Sequence, residues 1–187
     1  VVVVAAGLSA ALLLTGRLVT KDSRTTLRVA LPAFGAEAVD PSADGQNGQR
    51  YYGHMYDRLL GTGPNGKLDT RTGALAGWTS SADARSFTLR LREGMRWHDG
   101  VEVTSDDLKF SLEHHARQAA ACSACGSILW LVQEIKTIDL YRVEVTLKEP
   151  DAGFAARLGP QWEDVPLLPA QYLERVGQEP FADQPIG

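Results

Sequence analysis

The chain has 187 residues, of which 44% are apolar and 22% charged, and this is the composition of a folded globular protein and excludes general disorder. The length accommodates one domain with a terminal extension. With 19 basic and 23 acidic residues the net charge is −4, which gives no sign of the basic surface that nucleic-acid binding requires.

The chain begins with an apolar run, VVVVAAGLSAALLL. This run is about as long as the apolar core of a secretory signal peptide and is short for a transmembrane span. No Met and no basic segment precede it, so we expect that the start of the protein is missing. Leu14-Thr15-Gly16 resembles the start of a lipoprotein cleavage box, but Arg17 stands where the lipid-carrying Cys would be. We predict a signal peptide or a membrane anchor over residues 1–22, with a buried strand or helix as the alternative.

The next segment predicts a strand and then a polar loop. Leu27, Val29 and Leu31 alternate with polar or small residues, and Pro32 ends the strand. Residues 43–50, ADGQNGQR, form a loop whose backbone and side-chain amides suit contact with a solute. A solvated connector is the alternative.

An amphipathic helix and a hairpin turn are predicted next. Apolar residues recur at helical spacing and are followed by Gly61: Tyr52, Met55, Tyr56 and Leu59. Residues 64–66, Pro-Asn-Gly, predict a turn between two short strands.

A strand, a tight loop and a capped helix follow between residues 86 and 115. Phe87, Leu89 and Leu91 alternate with polar residues, which predicts a half-buried strand. Glycines at 94 and 100 predict turns. Residues 104–107, TSDD, supply a hydroxyl N-cap and acidic residues in the first turn of a helix. Its apolar stripe contains Leu108, Leu112 and His115.

This stretch resembles the signature of bacterial ABC-transporter solute-binding proteins of family 5, which carry dipeptides, oligopeptides, nickel and related solutes. The signature is a strand, then "LR-x-G-(V/M)-x-(W/F)-x-D-G", then "T-(A/S)-x-D-(V/L)-x-(F/Y)-S". The matching residues are Leu91, Arg92, Gly94, Met95, Trp97, Asp99, Gly100, Thr104, Asp107, Leu108, Phe110 and Ser111. The resemblance covers residues 26–187 and identifies the scaffold, not the ligand. We interpret Trp97 as a packed aromatic residue and His98 as a surface turn residue.

The remainder of the chain predicts a small-residue loop, two strands and two helices. Residues 118–127 form the loop or a frayed helix end, and two strands are joined near residues 139–141. The apolar residues of the strands are Ile135, Val143, Val145 and Leu147. Asp151 is predicted to cap a short helix through Phe154 and Leu158. Pro169 opens a last helix and Gly177 closes it.

Cys122 and Cys125 form a CxxC motif that the resemblance does not explain. Such a motif serves as a redox pair, as half of a zinc site or as a local disulfide. It follows a helix here, whereas a thioredoxin-like pair opens a helix after a strand, and its spacing from His114 and His115 is not that of a zinc finger. We predict a disulfide, with free thiols as the alternative.

No catalytic constellation stands out in the sequence. It has no nucleophile elbow, no Walker loop and no HExxH motif, and its carboxylates are scattered. We predict a binding protein that is not an enzyme and that holds no cofactor or metal.

The resemblance implies an α/β fold, namely a partial first lobe of the type II periplasmic-binding architecture with an inserted α+β subdomain. Residues 23–50 would start lobe I, residues 51–165 would form the inserted subdomain, and residues 166–187 would return to lobe I, where the chain is truncated. Family members are far longer and have two lobes. The chain is therefore expected to be the N-terminal portion of a larger protein.

The implied function is the capture of a peptide or a related small solute for ABC import. A ligand bridges two lobes and favours their closed form, which docks on the ABC permease in the membrane. The resemblance further implies an exported protein, periplasmic or at the cell surface, that is monomeric at full length and binds no nucleic acid. The alternatives are a CxxC-centred redox or metal-binding module on an exported domain, and a cytoplasmic regulator that uses the same fold.

The resemblance also locates the ligand contacts of the first lobe. In the family they lie just after an Asp-Pro pair, in the loop after the long helix, and just before the proline of the last helix. Carried onto this chain, the ligand-binding residues are Asn47, Gln49, Ser123, Gln161 and Trp162. Trp162 is the strongest candidate, as a wall of the cleft, with ordinary packing as its alternative.

Overall fold

The computed structural model describes residues 53–117, 129–159 and 165–187. All of these belong to one compact unit that spans residues 34–187. The predicted leader over residues 1–22, the strand over residues 27–31 and the loop over residues 43–50 lie outside the described ranges.

A four-stranded antiparallel sheet forms the centre of the described structure. Its strands are β3 (Leu75–Ser80), β4 (Ser86–Leu91), β5 (Val132–Asp139) and β6 (Arg142–Leu147), in the spatial order β3-β4-β6-β5. β4 and β6 are central. The predicted strand at residues 87–91 and the two predicted strands joined near residues 139–141 are confirmed.

The alternation of side chains gives this sheet one apolar and one polar face. Phe87, Leu89 and Leu91 of β4 are buried, as is every second residue of β6. Helix α1 (Ser105–Arg117) packs over β5 and β6, and Leu108 and Leu112 on it are fully buried. Each such side chain contributes about 1.5–3 kcal/mol when it leaves water. The core therefore lies between this helix and one face of the sheet.

A short hairpin precedes the sheet, as the Pro-Asn-Gly turn predicts. Its strands are β1 (Gly61–Thr62) and β2 (Leu68–Asp69), which pair antiparallel. Gly66 adopts a φ of 73°, a conformation that glycine adopts without steric cost.

The helix predicted over residues 52–59 is wrong for residues 53–59, which form turns and a bridge. Residues 57–59 instead pair with distant segments, as a strand does. Leu167 N–H donates to Asp57 O at 2.9 Å, and Leu75 N–H donates to Leu59 O at 2.9 Å. The apolar spacing is real, because Tyr56 and Leu59 are buried, but tertiary pairing overrides the helical propensity.

Three helices lie in the C-terminal part of the described chain: α2 (Phe154–Arg157), α3 (Ala170–Val176) and α4 (Gln178–Asp183). Pro169 precedes α3 and Gly177, with a φ of 83°, ends it, as predicted. The prediction that this helix is the last one is wrong, because α4 follows at once. A proline fits in the first turn of that helix, where its missing N–H leaves no helical bond unmade.

The predicted cap at Asp151 is displaced. Its carboxylate accepts a hydrogen bond from Gly153 N–H at 2.8 Å, while Gly153 itself is the N-cap of α2. Asp151 therefore forms the turn that leads into the helix.

Candidate functional site

The loop between β4 and α1, residues 92–104, is here called the signature loop and forms a compact double turn. Trp97 N–H donates to Val101 O at 2.9 Å, and Gly100 N–H donates to Trp97 O at 2.8 Å. Gly94 and Gly100 have φ values of 78° and 88°. Trp97 is buried and His98 is exposed, so both interpretations from the sequence are confirmed.

Asp107 joins this loop to the rest of the molecule. Its carboxylate accepts hydrogen bonds from Thr104 N–H and Ala170 N–H, each at 2.9 Å, and from the Trp97 side chain. The bond to Thr104 is the reach of a third-position carboxylate back to the residue before the helix. Burial raises the pKa of the Asp107 carboxyl, and its hydrogen-bond donors offset part of that rise.

Ser111 and His115 continue the same face of α1. Ser111 Oγ donates to Asp107 O at 2.6 Å and accepts from Leu168 N–H at 2.8 Å. His115 Nε2 lies 3.1 Å from Pro166 O. A carbonyl oxygen only accepts hydrogen bonds, so Nε2 carries the proton of the neutral ring.

The partners of these three side chains lie in one segment, residues 165–170, here called the strap, which ends at the first residue of α3. Asp107, Ser111 and His115 are four residues apart, about 6 Å along a helix axis. Their partners in the strap are two residues apart, about 6.6 Å along an extended chain. The helix and the strap run in opposite directions, and this near-equal spacing allows each side chain to reach one backbone group.

The opposite side of the strap is held by residues 57–58. Leu167 N–H donates to Asp57 O, and Arg58 forms an antiparallel bridge with Pro166. The strap is therefore bonded on both sides, like a strand between two partners.

The strap leads into α3 and α4, and separate contacts hold residue 187. A second apolar cluster forms under it from Tyr56, Leu168, Leu173 and Phe181. Beyond α4, Gly187 O accepts from His98 N–H at 3.0 Å, and Gly187 N–H donates to His98 Nδ1 at 3.1 Å. The signature loop thus contacts residue 187 directly. It is linked to the strap through Asp107, which accepts hydrogen bonds from both Trp97 and Ala170.

A small cavity lies between the signature loop and α3. Its volume is ≈ 40 Å³, and its lining includes Trp97, Asp99, Tyr172 and Arg175. That volume accommodates a water molecule and is too small for a peptide. A peptide would therefore have to bind elsewhere than in this cavity.

The residues predicted to contact ligand lie outside the described ranges: Asn47, Gln49, Ser123, Gln161 and Trp162. The same holds for Cys122 and Cys125. Their predicted roles and the predicted disulfide stay predictions.

The part of the chain that the structure describes offers neither a metal-binding cluster nor a membrane-spanning helix. No group of three or more His, Cys, Asp or Glu side chains in residues 53–117, 129–159 and 165–187 is arranged to hold a metal ion. Within those ranges, no helix combines the length and the hydropathy needed to cross a bilayer.

Sequence reasoning missed the polar stripe of α1. The sequence predicts His115 in the apolar stripe. The side chain is fully buried, but its ring forms a hydrogen bond to the strap. The available signal was the spacing of four between Asp107, Ser111 and His115, which places them on one face. Their partners are backbone atoms more than 50 residues away, and the pattern of side chains does not indicate which backbone atoms they will meet.

Comparison with known proteins gives a family match. Residues 71–187 match the family model described as "Bacterial extracellular solute-binding proteins, family 5 Middle". The dipeptide-binding protein of Escherichia coli is 28% identical over 120 residues, which cover 56% of this chain and 22% of that protein. The chain thus spans about a fifth of the length of the curated relatives it matches.

Solved structures give the same fold. NikZ from Campylobacter jejuni, in complex with Ni(L-His), is 25% identical with a TM-score of 0.60, covering 71% of this chain and 26% of that one. Haemophilus influenzae OppA, in complex with RPPGFSPFR, is 20% identical with a TM-score of 0.68, covering 81% and 32% of the two chains. The predicted α/β fold, part of a type II periplasmic-binding architecture, is confirmed.

Proposed function

Since residues 71–187 match its family model, the chain belongs to the bacterial extracellular solute-binding proteins of family 5, and we propose that it is a portion of the solute-binding component of an ABC importer. The observation that carries this proposal is the family match, which contains the whole signature stretch from Leu91 to Ser111. The physical role of that stretch supports it, because its loop and helix hold the strap and residue 187. The family consists of transport proteins, not enzymes.

The solute that we propose is a peptide or a related small molecule. Among the relatives, the E. coli protein is a dipeptide-binding protein, and a Sinorhizobium fredii protein, 32% identical over 112 residues, is a probable peptide transporter component. A nickel chelate is the second candidate, because NikZ was solved with Ni(L-His). Asn47, Gln49, Ser123, Gln161 and Trp162 remain the residues proposed to contact the solute.

Capture by closure of two lobes is the proposed mechanism. A ligand that contacts both lobes favours the closed form, because only that form makes both sets of contacts. The inserted subdomain is proposed to span residues 51–165 and the return to lobe I residues 166–187, as the resemblance implies. Residues 23–187 would contribute to the first of the two lobes under this proposal.

An ABC permease in the membrane is the proposed partner, and the proposed location is the periplasm or the cell surface. The names of the relatives support both, since several are periplasmic or ABC-transporter peptide-binding proteins. The apolar run at residues 1–14 would serve as the export signal. We further propose that the full-length protein is monomeric and binds no nucleic acid.

Isothermal titration calorimetry tests this function. The full-length gene product and the 187-residue chain are each titrated with dipeptides, tetrapeptides and Ni(L-His). We expect one of these classes to bind the full-length protein with micromolar or tighter affinity and to bind the isolated chain at least 100-fold more weakly. Micromolar binding by the isolated chain refutes the two-lobe mechanism, and a full-length protein that binds none of the panel refutes the proposed solute classes.

A further inference from the structure

We propose that the strap is an acid-sensitive fastening that opens when His115 takes up a proton. The strap, residues 165–170, connects α1 to α3 and α4. Its opening would free this C-terminal part of the chain while the four-stranded sheet stays folded. This proposal concerns the fold and does not depend on the identity of the solute.

The surroundings of the His115 ring provide no hydrogen-bond acceptor for a second ring N–H among the described residues. The side chain has 0% exposure, and Nε2 donates its proton to Pro166 O at 3.1 Å. Nδ1 is also buried and has no hydrogen-bond partner among the residues that the structure describes. Protonation would therefore create an N–H donor and a positive charge at a buried atom that faces no acceptor there. Such a group costs free energy unless it reaches water.

Opening of the strap provides that access to water. Pro166 O holds the ring at Nε2, so departure of the strap would let the imidazole turn and bring Nδ1 to water. The next two bonds of the strap, from Leu168 and Ala170 to Ser111 and Asp107, are on the same face. Loss of the first contact removes one of three equally spaced attachments. In agreement with this geometry, burial lowers the pKa of the His115 imidazole to about 4, from an ordinary value of 6.5.

The titratable neighbours of His115 are few in the described structure. On its own helix, the ring of His114 lies edge-on to it at 5.8 Å between centroids, and a charge there opposes a second one. The strap itself, Val-Pro-Leu-Leu-Pro-Ala, contains no titratable side chain. On the far side of the strap are Asp57 and Arg58.

Other charged groups near α1 either form ion pairs or should have a pH dependence opposite to that of His115. On β5, which packs on α1, Glu134 and Lys136 pair with each other at 2.8 Å. Toward the end of α1, Glu113 pairs with Lys109 and Arg117. Asp107 acts against His115, because burial raises the pKa of its carboxyl and its protonation removes a buried charge.

Amide hydrogen exchange of the 187-residue chain at pH 7 and pH 5 tests the proposal. The reporters are the N–H groups of Leu168 and Ala170, with the amides of β4 and β6 as reference and with each rate corrected for intrinsic exchange at that pH. If opening restores an ordinary histidine pKa of 6.5 from about 4, protection of the strap amides falls about 20-fold between pH 7 and pH 5. At both pH values the strap is expected to exchange faster than the central strands.

Two variants separate His115 from other titrating groups. His115→Gln retains a donor at the position of Nε2 but does not titrate, so its strap protection should change less than 3-fold over this pH range. His54→Gln alters an exposed histidine outside these contacts and should retain the 20-fold fall. An equal fall in His115→Gln overturns the proposal, as does exchange of the strap in one step with the central strands.

Imidazole nitrogen resonances of the unmodified chain give a test that does not depend on a variant that folds. We expect His115 to stay neutral at pH 5, with its proton on Nε2, in every molecule whose strap is closed. A His115 that is charged at pH 6 while the amides of Leu168 and Ala170 remain protected overturns the proposal.

Discussion

At the residue scale, Asp107 connects three elements of the described structure. One buried carboxylate accepts hydrogen bonds from the start of its own helix, from the signature loop and from the start of α3. Hydrogen bonds to a charged acceptor are stronger than neutral ones, and removal of the acceptor leaves buried donors without a partner. Asp107 therefore determines whether three elements meet in one place.

Asp107→Asn should lower the free energy of unfolding by about 2 kcal/mol or more, because an amide NH₂ would face N–H donors. Urea denaturation monitored by circular dichroism measures this loss. Asp106→Asn is the matched control: it removes a first-turn charge from the same helix at an exposed position, which should cost about 0.3–1 kcal/mol. Equal losses in the two variants would contradict the role assigned to Asp107.

Gly73 and Gly77 offer a second contrast at this scale. A Cβ at Gly73 would lie 2.6 Å from Leu59 O and 2.8 Å from Gly61 N, and both are backbone atoms. A Cβ at Gly77 would meet only Arg90 Nη2, at 3.7 Å. We expect Gly73→Ala to cost about 1–3 kcal/mol and Gly77→Ala to be neutral or slightly stabilising. Thermal unfolding of the pair measures the difference, and a tolerated Gly73→Ala would show that the backbones are not in close contact.

At the scale of elements, α1 serves two partners with two faces. Leu108 and Leu112 pack toward the sheet, while Asp107, Ser111 and His115 hold the strap. Every fourth side chain of the helix on this face meets every second residue of the strap. This explains how an extended segment of apolar residues is held by polar side chains in the interior.

The sheet and the hairpin should differ in local stability. β4 and β6 are paired on both sides, whereas β1 and β2 are two residues each and pair only with each other. Hydrogen exchange followed by mass spectrometry should show slow exchange in peptides from β4 and β6 and exchange at least 100-fold faster in those from β1 and β2. Uniform protection across both sheets would mean that the hairpin opens only with the whole unit.

The sequence predicted the elements whose residues make local patterns. The strand at residues 87–91, the Pro-Asn-Gly turn and the start and end of α3 follow from alternation, turn chemistry and the Pro-to-Gly pair. The helix predicted over residues 52–59 is not formed in residues 53–59, because the backbone at residues 57–59 pairs with distant segments as a strand does. The pattern of side chains reports which residues are buried, and it does not report which backbone groups have distant partners.

At the scale of the whole molecule, the stability of the fold should depend on pH in a defined window. The pKa of His115 is lower in the folded chain, about 4, than the ordinary value of 6.5 that we assign to the unfolded chain. The unfolded state then binds more protons between these values, so stability is fully present above pH 6.5 and is lost as the pH falls toward 4.

The expected loss from His115 alone is about 3 kcal/mol between pH 7 and pH 4. Urea denaturation at closely spaced pH values measures it. Asp69, whose pKa Arg71 lowers from 3.8 to about 2, contributes only below this window. The variant His115→Gln should have a nearly constant midpoint from pH 7 to pH 4.5, and a wild-type midpoint that is equally constant would contradict the prediction.

The family and the α/β class follow from the sequence alone, because the signature residues lie close together along the chain. The central strands follow from it too, since their burial is set by alternation along a single segment. The pairing of Asp107, Ser111 and His115 with residues 165–170 is visible in the folded molecule and not in the sequence. The physical reason is that backbone hydrogen bonds between distant segments depend on where the chain returns in space, and every amino acid except proline offers the same N–H and C=O groups for them.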